Sequence, residues 1–331
     1  MMLLKTIGGG YYVDEDTGDS VYLPAKTIIR TEEEREQIKK AIAKKEEQEA
    51  ARRVANSFTY SLCGEFFWSL YNAGQDYHPN VSDDMLAKII YLLTYLDYKK
   101  NMLVIRRNAS DAYRPMKKDD VKNVIRLHRC NFPRFWDELM KSGIITENEF
   151  GELMVCDSFR RGKVDGRSTQ GMSKIKMYSR AIRYVYENTD VRSHKYLSYL
   201  YRLIPFINLK YNILCLNPLE TDKYKVQPLT TKELCELIGI EGRKDNADRL
   251  TDKLFKLMFF DKNKDKLSVI TTIKRIKNDE VCQYITINPQ FYAGYISTED
   301  IIDIMGEFVI HEKGELIDET KRLPDGVHRD S

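Results

Sequence analysis

Apolar positions along this chain follow two rhythms, one of three to four residues and one of two, which are the periods of buried helix and strand faces. Leu86, Ile89, Ile90, Leu93 and Leu96 recur at helical spacing, and a short extended piece over 102–106 follows. Val121, Val124 and Ile125 place a short helix over 118–127, and 128–131 reads as a tight turn. Phe135, Leu139 and Met140 form the buried stripe of a helix over 132–141. Pro133 suits its first turn, where a missing N–H has no intrahelical partner, and Ser142-Gly143 supplies a stop. Ile144-Ile145 and 151–156 then read as the strands of a hairpin.

The same order returns downstream. Leu197, Leu200, Tyr201 and Ile204 make a helical stripe, and 231–238 is a short helix capped by Thr230, with Glu233 completing a capping box. A third helix over 245–258 and a hairpin of 269–276 with 281–287 follow. The two halves align in four blocks. Leu92–Val104 (LLTYLDYKKNMLV) matches Leu203–Cys215 (LIPFINLKYNILC) at an offset of 111 residues. MKKDDVKNVIRL from Met116 matches LTTKELCELIGI from Leu229, an offset of 113. NFPRFWDELMKSGII from Asn131 matches NADRLTDKLFKLMFF from Asn246, an offset of 115, and LMVCDSFRRG from Leu153 matches ITINPQFYAG from Ile285, an offset of 132. Two copies of a unit of about a hundred residues imply two similar domains and not a solenoid, whose repeats are shorter and more numerous.

Two helices joined by a tight turn and followed by a β-hairpin constitute a winged helix-turn-helix. The expected fold class is therefore mainly α with small β-hairpins (α+β), in tandem winged helix-turn-helix domains. A helix of this kind fits the major groove of B-DNA, and its first turns reach base edges while the hairpin lies over phosphates. The same unit also serves as a dimerisation or protein-docking module. The expected organisation is an N-terminal β-hairpin (1–30, turning at Asp16-Thr17-Gly18) and a charged, solvent-exposed helix (31–56, capped by Thr31). The first winged unit (57–162), a basic joint with a connecting helix (163–192), the second winged unit (193–298) and an acidic C-terminal tail (299–331) follow. Gly162, Gly166 and Gly171 suggest a flexible joint and two separately folded units. The helical face assigned to 174–187 carries Ile175, Tyr178, Ile182 and Val185.

Charge changes this picture by its distribution. The net charge is only +3. Between Arg160 and Arg183 lie eight basic residues against Asp165, whereas Glu299 to Glu319 carries eight acids against Lys313. A segregated basic centre suits a polyanion. The candidate DNA-binding residues are Arg129, Asn131, Arg134 and Lys141 in the first unit and Arg160, Arg161, Lys163, Arg167, Lys174 and Arg180 in the joint. In the second unit they are Arg243, Lys244, Asn246, Arg249, Lys264, Lys266, Lys274 and Arg275. Arg pairs with guanine and Asn with adenine through two hydrogen bonds. Asn131/Asn246 and Arg134/Arg249 coincide between repeats, although Asn at a helix start is also a cap. The second wing is basic; the first carries Glu147, Glu149 and Glu152, so the second unit is the better DNA binder and the first reads DNA by its helix alone or serves in dimerisation.

The segment LTTKELCELIGI, then NADRLTDKLFKLMFF, then YITINPQFYAGY resembles the MarR-like winged helices of Firmicute phage and plasmid proteins. It is similar in particular to RepL-type plasmid replication proteins, in which a last strand of the form hydrophobic-x-hydrophobic-Asn-Pro closes the wing, as 284–289 does here. YYVDEDTGDSVYL resembles the hairpin that opens such proteins. The resemblance covers the second unit best. It reaches the first only through the internal repeat, where Cys156-Asp157 stands in place of Asn-Pro, and it leaves out the charged helix and the tail.

Length, 42% hydrophobic and 31% charged residues describe a soluble globular chain of two or three domains. The six cysteines are dispersed without a CxxC pair, so buried thiols in a reducing cytoplasm are expected, not disulfides or a zinc site. No run of about eighteen apolar residues is present, so no membrane span is expected. No HExxH, paired His or phosphate-binding GxxxxGK[ST] occurs, so neither an enzyme nor a cofactor is expected. The leading expectation is a site-specific double-stranded DNA-binding protein of a phage or plasmid, regulating transcription at the host nucleoid as a monomer or homodimer. The alternatives are a replication initiator binding origin repeats, with host replication or transcription proteins as further partners, and a protein-binding adaptor.

Overall fold

The computed structural model describes residues 4–8, 11–14, 20–22, 32–162, 164, 169–240, 244–277, 280–294, 298–312 and 317–318. Contacts divide the chain into one body over Met1–Ser57 and a second over Phe58–Ser331. In the first, β1 (Leu4–Gly8), β2 (Tyr11–Asp14) and β3 (Ser20–Tyr22) form an antiparallel sheet in that order, one strand more than the expected hairpin; Asp16-Thr17-Gly18 lies outside the described residues. Helix α1 (Glu32–Cys63) runs on into the second body, past the expected end of the charged helix. Most of its described side chains between 33 and 47 are exposed, as its sparse apolar positions require. Thr31, the expected cap, lies outside the described residues.

The second body begins with strand β4 (Phe66–Tyr71) and helix α2 (Asp83–Leu93). Short strands β5 (Val104–Ile105) and β6 (Arg114–Pro115) lead to helices α3 (Lys118–Ile125) and α4 (Phe132–Lys141). Hairpin β7 (Ile145–Glu147) with β8 (Leu153–Val155), then β9 (Phe159–Arg160), completes the first copy. The second copy opens with β10 (Ser173–Tyr178), α5 (Ser179–Asn188) and α6 (His194–Arg202), then α7 (Thr231–Leu237) and α8 (Lys244–Phe255). It closes with β11 (Met258–Phe260), β12 (Lys266–Ser268), β13 (Ile270–Lys277), β14 (Glu280–Ile287) and β15 (Tyr292–Ala293). Helix α9 (Thr298–Glu312) and β16 (Ile317–Asp318) follow. The fold is mixed α+β, and its sheets are small.

The repeat read from sequence reappears in the backbone hydrogen bonds. Leu103 N–H donates to Leu153 C=O, and Leu214 N–H to Ile285 C=O. Met116 N–H donates to Leu103 C=O, and Leu229 N–H to Leu214 C=O. Bridges Leu96–Leu103 and Ile207–Leu214 correspond as well. The block from Asn131 ends differently. Cys156 N–H donates to Ile144 C=O, but its counterpart Asn288 N–H donates to Val269 C=O. Ile144-Ile145 therefore corresponds to Val269-Ile270, and the hairpin β11–β12 is an insertion that only the second copy has.

The two copies are not separately folded pieces. Strands β4 and β10 pair antiparallel in register from Phe66–Tyr178 to Tyr71–Ser173, within a sheet of order β15-β10-β4-β9. The order is the same read from either end, one copy on each side. Residues 174–178, expected as helix, are thus central strand, with Ile175 and Met177 buried on the face that also carries Phe67 and Tyr71. Beneath that face the corresponding helices α2 and α6 pack on each other, and Leu86, Ile90, Leu197 and Leu200 join one core. Arg202 fixes the joint: its guanidinium donates to Asp83 Oδ1 (3.1 Å), Tyr77 C=O (2.6 Å), His78 C=O (2.9 Å) and Val81 C=O. Gly162, read as part of a flexible joint, has φ +96 against Tyr98, and its carbonyl accepts from Trp68 Nε1 (3.1 Å).

Part of the expected acidic tail is a packed helix. Ile301, Ile304 and Phe308 of α9 are buried with Cys63, Tyr178 and Ile273. Among the described cysteines Cys63, Cys215 and Cys235 are buried, but Cys130 is exposed and Cys156 intermediate, against the expectation of buried thiols throughout. Among the described residues no helix is long and apolar enough to cross a membrane, and no His/Cys/Asp/Glu group could hold a metal.

Candidate nucleic-acid interface

The second helix of each copy starts with the same local chemistry. At the start of α3 the Lys117 N–H donates to Asp120 Oδ2 (2.9 Å), and at the start of α7 the Thr230 N–H donates to Glu233 Oε2 (2.8 Å). A donated bond from Arg114 holds the Asp120 carboxyl below its ordinary range, and the Thr230 backbone N–H does the same for Glu233. Both carboxylates favour the folded state only while charged, so the caps are intact at neutral pH and are lost as pH falls below the ordinary carboxylate range.

Helix α4 buries Phe132, Phe135, Trp136 and Leu139 and turns its other face outward. Arg129 and Asn131 are exposed at its start. Asn131 sits at the N-cap without a side-chain capping bond, so its amide is not spent on the helix end. Arg134 pairs along the helix with Glu138 (2.9 Å), and Lys141 is exposed in the last turn. Helix α8 buries Leu250 and Leu254 and exposes Asp245, Asp248, Arg249, Asp252 and Lys253. Lys244 and Asn246 lie in its first turn, their side chains outside the described residues, as is Arg243 altogether.

The hairpin regions differ as the charges suggested. Glu147 and Glu149 are exposed around the β7–β8 turn, and Glu152 accepts from Asn148 Nδ2 (3.0 Å). In the second copy the β11–β12 turn is organised by Asp261, whose Oδ1 accepts from Asn263 N–H and Asp265 N–H (both 2.8 Å). That turn exposes Lys262, Lys264 and Lys266. Lys274 and Arg275 lie on β13 in register with Gln283 and Cys282, their side chains outside the described residues.

The basic centre is largely engaged in holding the fold. Arg161 donates to Leu96 C=O (3.2 Å) and pairs with Glu65 (2.7 Å). Arg160 pairs with Asp157 (2.6 Å), and Arg180 donates to Leu62 C=O (3.2 Å). Arg183 donates to Thr94 Oγ1 (2.8 Å) and lies over the Tyr95 ring. Lys174 lies over Trp68. Lys163 and Arg167 are outside the described residues.

Sequence reasoning passed over a pair it had already aligned. Asn101 and Asn212 are identical at the first offset. Asn101 Nδ2 donates to Val155 C=O (2.7 Å) and Cys156 C=O (3.1 Å), and Asn212 Nδ2 to Ile287 C=O (2.8 Å) and Tyr292 C=O (2.9 Å). Each fastens the strand after the first helix to the closing strand, and so fixes where the hairpin stands beside the third helix. No protein-family model, curated protein or solved structure matches the chain.

Proposed function

We propose that each copy is a winged helix-turn-helix and that the chain is a site-specific double-stranded DNA-binding protein acting on transcription. The observation that carries this reading is the exposed face of α8, with Arg249 in its first half, beside the lysine-bearing turn 262–266. A helix so placed enters a major groove, and lysines beside it meet phosphate. The phage or plasmid setting follows from the resemblance of 229–295 to MarR-like and RepL-type proteins. α8 is the principal reading helix. The acidic turn of the first copy repels phosphate, so α4 makes the smaller contribution.

A second reading, a replication initiator at origin repeats, draws support from the shared sheet. Two units held in one body span two neighbouring half-sites from a single chain, as closely spaced repeats require. Selection of genomic fragments by the purified chain tests both readings. The expected product is a discrete set of duplexes whose affinity falls steeply with salt as Lys and Arg release counterions. Sites at a promoter favour regulation, and sites in a repeated array favour initiation. No enrichment at low salt would remove the DNA-binding reading.

A further inference from the structure

We propose that the cleft between α8 and the inserted β11–β12 hairpin binds a phosphate-bearing nucleotide. Both copies have a cleft of about 320 Å3 between the start of the first helix and the end of the third. Their linings correspond: Ser82 with Ser193, Met85 with Tyr196, Glu138 with Lys253, Lys141 with Lys256. The first copy is an internal control for what the second has changed. Where the first presents Glu138, already paired with Arg134 at 2.9 Å, the second presents Lys253. The insertion then adds Lys266 and Phe260, which the first cleft has no means to supply.

The changed lining has two parts. Three ammonium groups, Lys253, Lys256 and Lys266, face one carboxylate, Asp190, whose Oδ1 accepts from Arg192 N–H (2.9 Å). Asp252 neutralises part of this charge by pairing with Lys256 (2.8 Å), which leaves a positive excess. Beside the lysines stand Tyr184, Tyr196 and Phe260, with Tyr184 edge-on to Phe260 at 5.3 Å between ring centres. Lysines are point-charge partners for phosphate, and aromatic rings offer a surface to a planar base. The volume lies at the small end of ligand sites, suiting one nucleotide and not a longer strand. Lys253 lies one turn beyond Arg249 on α8, so an occupied cleft changes the charge next to the proposed reading face. The binding itself does not depend on the DNA reading.

Calorimetric titration of the full chain with ATP, AMP, adenosine and inorganic phosphate tests the proposal, with Lys253→Ala/Lys266→Ala and, as a remote control, Lys99→Ala. Both lysines are exposed, so an unchanged melting curve is expected for the double variant. ATP and AMP are expected to bind at least tenfold more tightly than adenosine, the double variant to lose at least tenfold, and Lys99→Ala to match the parent. A titration repeated with a short duplex present separates the sources. Undiminished ATP binding identifies a free nucleotide, and mutual displacement lost in the double variant identifies a nucleotide of the nucleic acid. ATP binding equal to that of adenosine, or unaltered in the double variant, would overturn the proposal.

Discussion

Arg202→Ala is expected to destabilise both copies in one step, by about 3 kcal/mol, because one guanidinium serves a carboxylate and three carbonyls and hydrogen bonds to a charged group are worth roughly 1.5–3 kcal/mol. The guanidinium, 16% exposed, is the donor for the Asp83 carboxylate and for the carbonyls of Tyr77, His78 and Val81, all in the first copy. Its loss takes the charged donor from all four acceptors where the copies meet, and of the carbonyls only that of His78 keeps a second backbone donor among the described residues, the Val81 N–H (3.0 Å). Lysine should rescue little, because one ammonium cannot reproduce the planar fork. Urea unfolding followed by tryptophan fluorescence, which reports Trp68 and Trp136 in the first copy, and by circular dichroism, which reports the whole chain, checks this. The expected result is coincident transitions of the main body, shifted together. Separate transitions for the two copies, or a loss under about 1 kcal/mol, would contradict a shared core.

Asn212→Ala should cost about as much, roughly 3 kcal/mol, from three hydrogen-bonding groups left unpaired and from backbone strain. The side chain is fully buried; it donates to Ile287 and Tyr292 carbonyls and accepts from Gly294 N–H (3.3 Å). Its φ of +56 lies in the left-handed region, which Asn tolerates better than Ala. The matching Asn101 is half-buried and is not among the positive-φ residues. Asn101→Ala should therefore lose less, about 1–2 kcal/mol. Asn212→Gly relieves the backbone and isolates the hydrogen-bond share. Equal losses for Asn101→Ala and Asn212→Ala would show that the asymmetry of burial and φ carries no weight.

Much of this architecture was legible in the chain because it is set locally. The α4 boundaries follow from Pro133, one apolar stripe and the Ser142-Gly143 stop; the start of α7 follows from the Thr230–Glu233 box. The repeat itself was legible because equivalent buried positions need equivalent side chains. What the sequence hid was long-range. Ile175, Tyr178, Ile182 and Val185 fit a helical face, while 173–178 also alternates, with Ile175 and Met177 between Lys174 and Lys176. Periodicity does not choose between these readings; pairing with β4, about a hundred residues earlier in sequence, does.

The inserted hairpin was hidden for a related reason. Phe259-Phe260 matches Ile144-Ile145 in pattern, and only the ladder shows that Val269-Ile270 holds the equivalent place. The basic centre misled differently. A guanidinium that clamps carbonyls and one that awaits phosphate have the same letter, and Arg161 and Arg183 of that centre are clamps. Arg129, Arg134 and Lys141 of the first copy, and Arg249 of α8 with the lysines of the β11–β12 turn, are parts of the charge reading that remain exposed in the described structure.

The most direct test of α8 as the reading helix is a set of binding titrations on selected and scrambled duplexes across salt, comparing Arg249→Ala with Lys262→Ala/Lys264→Ala. Arg249→Ala should cost about 1–3 kcal/mol on the selected duplex and little on the scrambled one, because a base contact carries the sequence preference. The lysine variant should weaken both duplexes alike and flatten the salt slope, because phosphate contacts carry none. Equal losses on both duplexes for Arg249→Ala, with the lysine variant affecting only the selected one, would contradict the assignment of α8 as the helix that reads DNA.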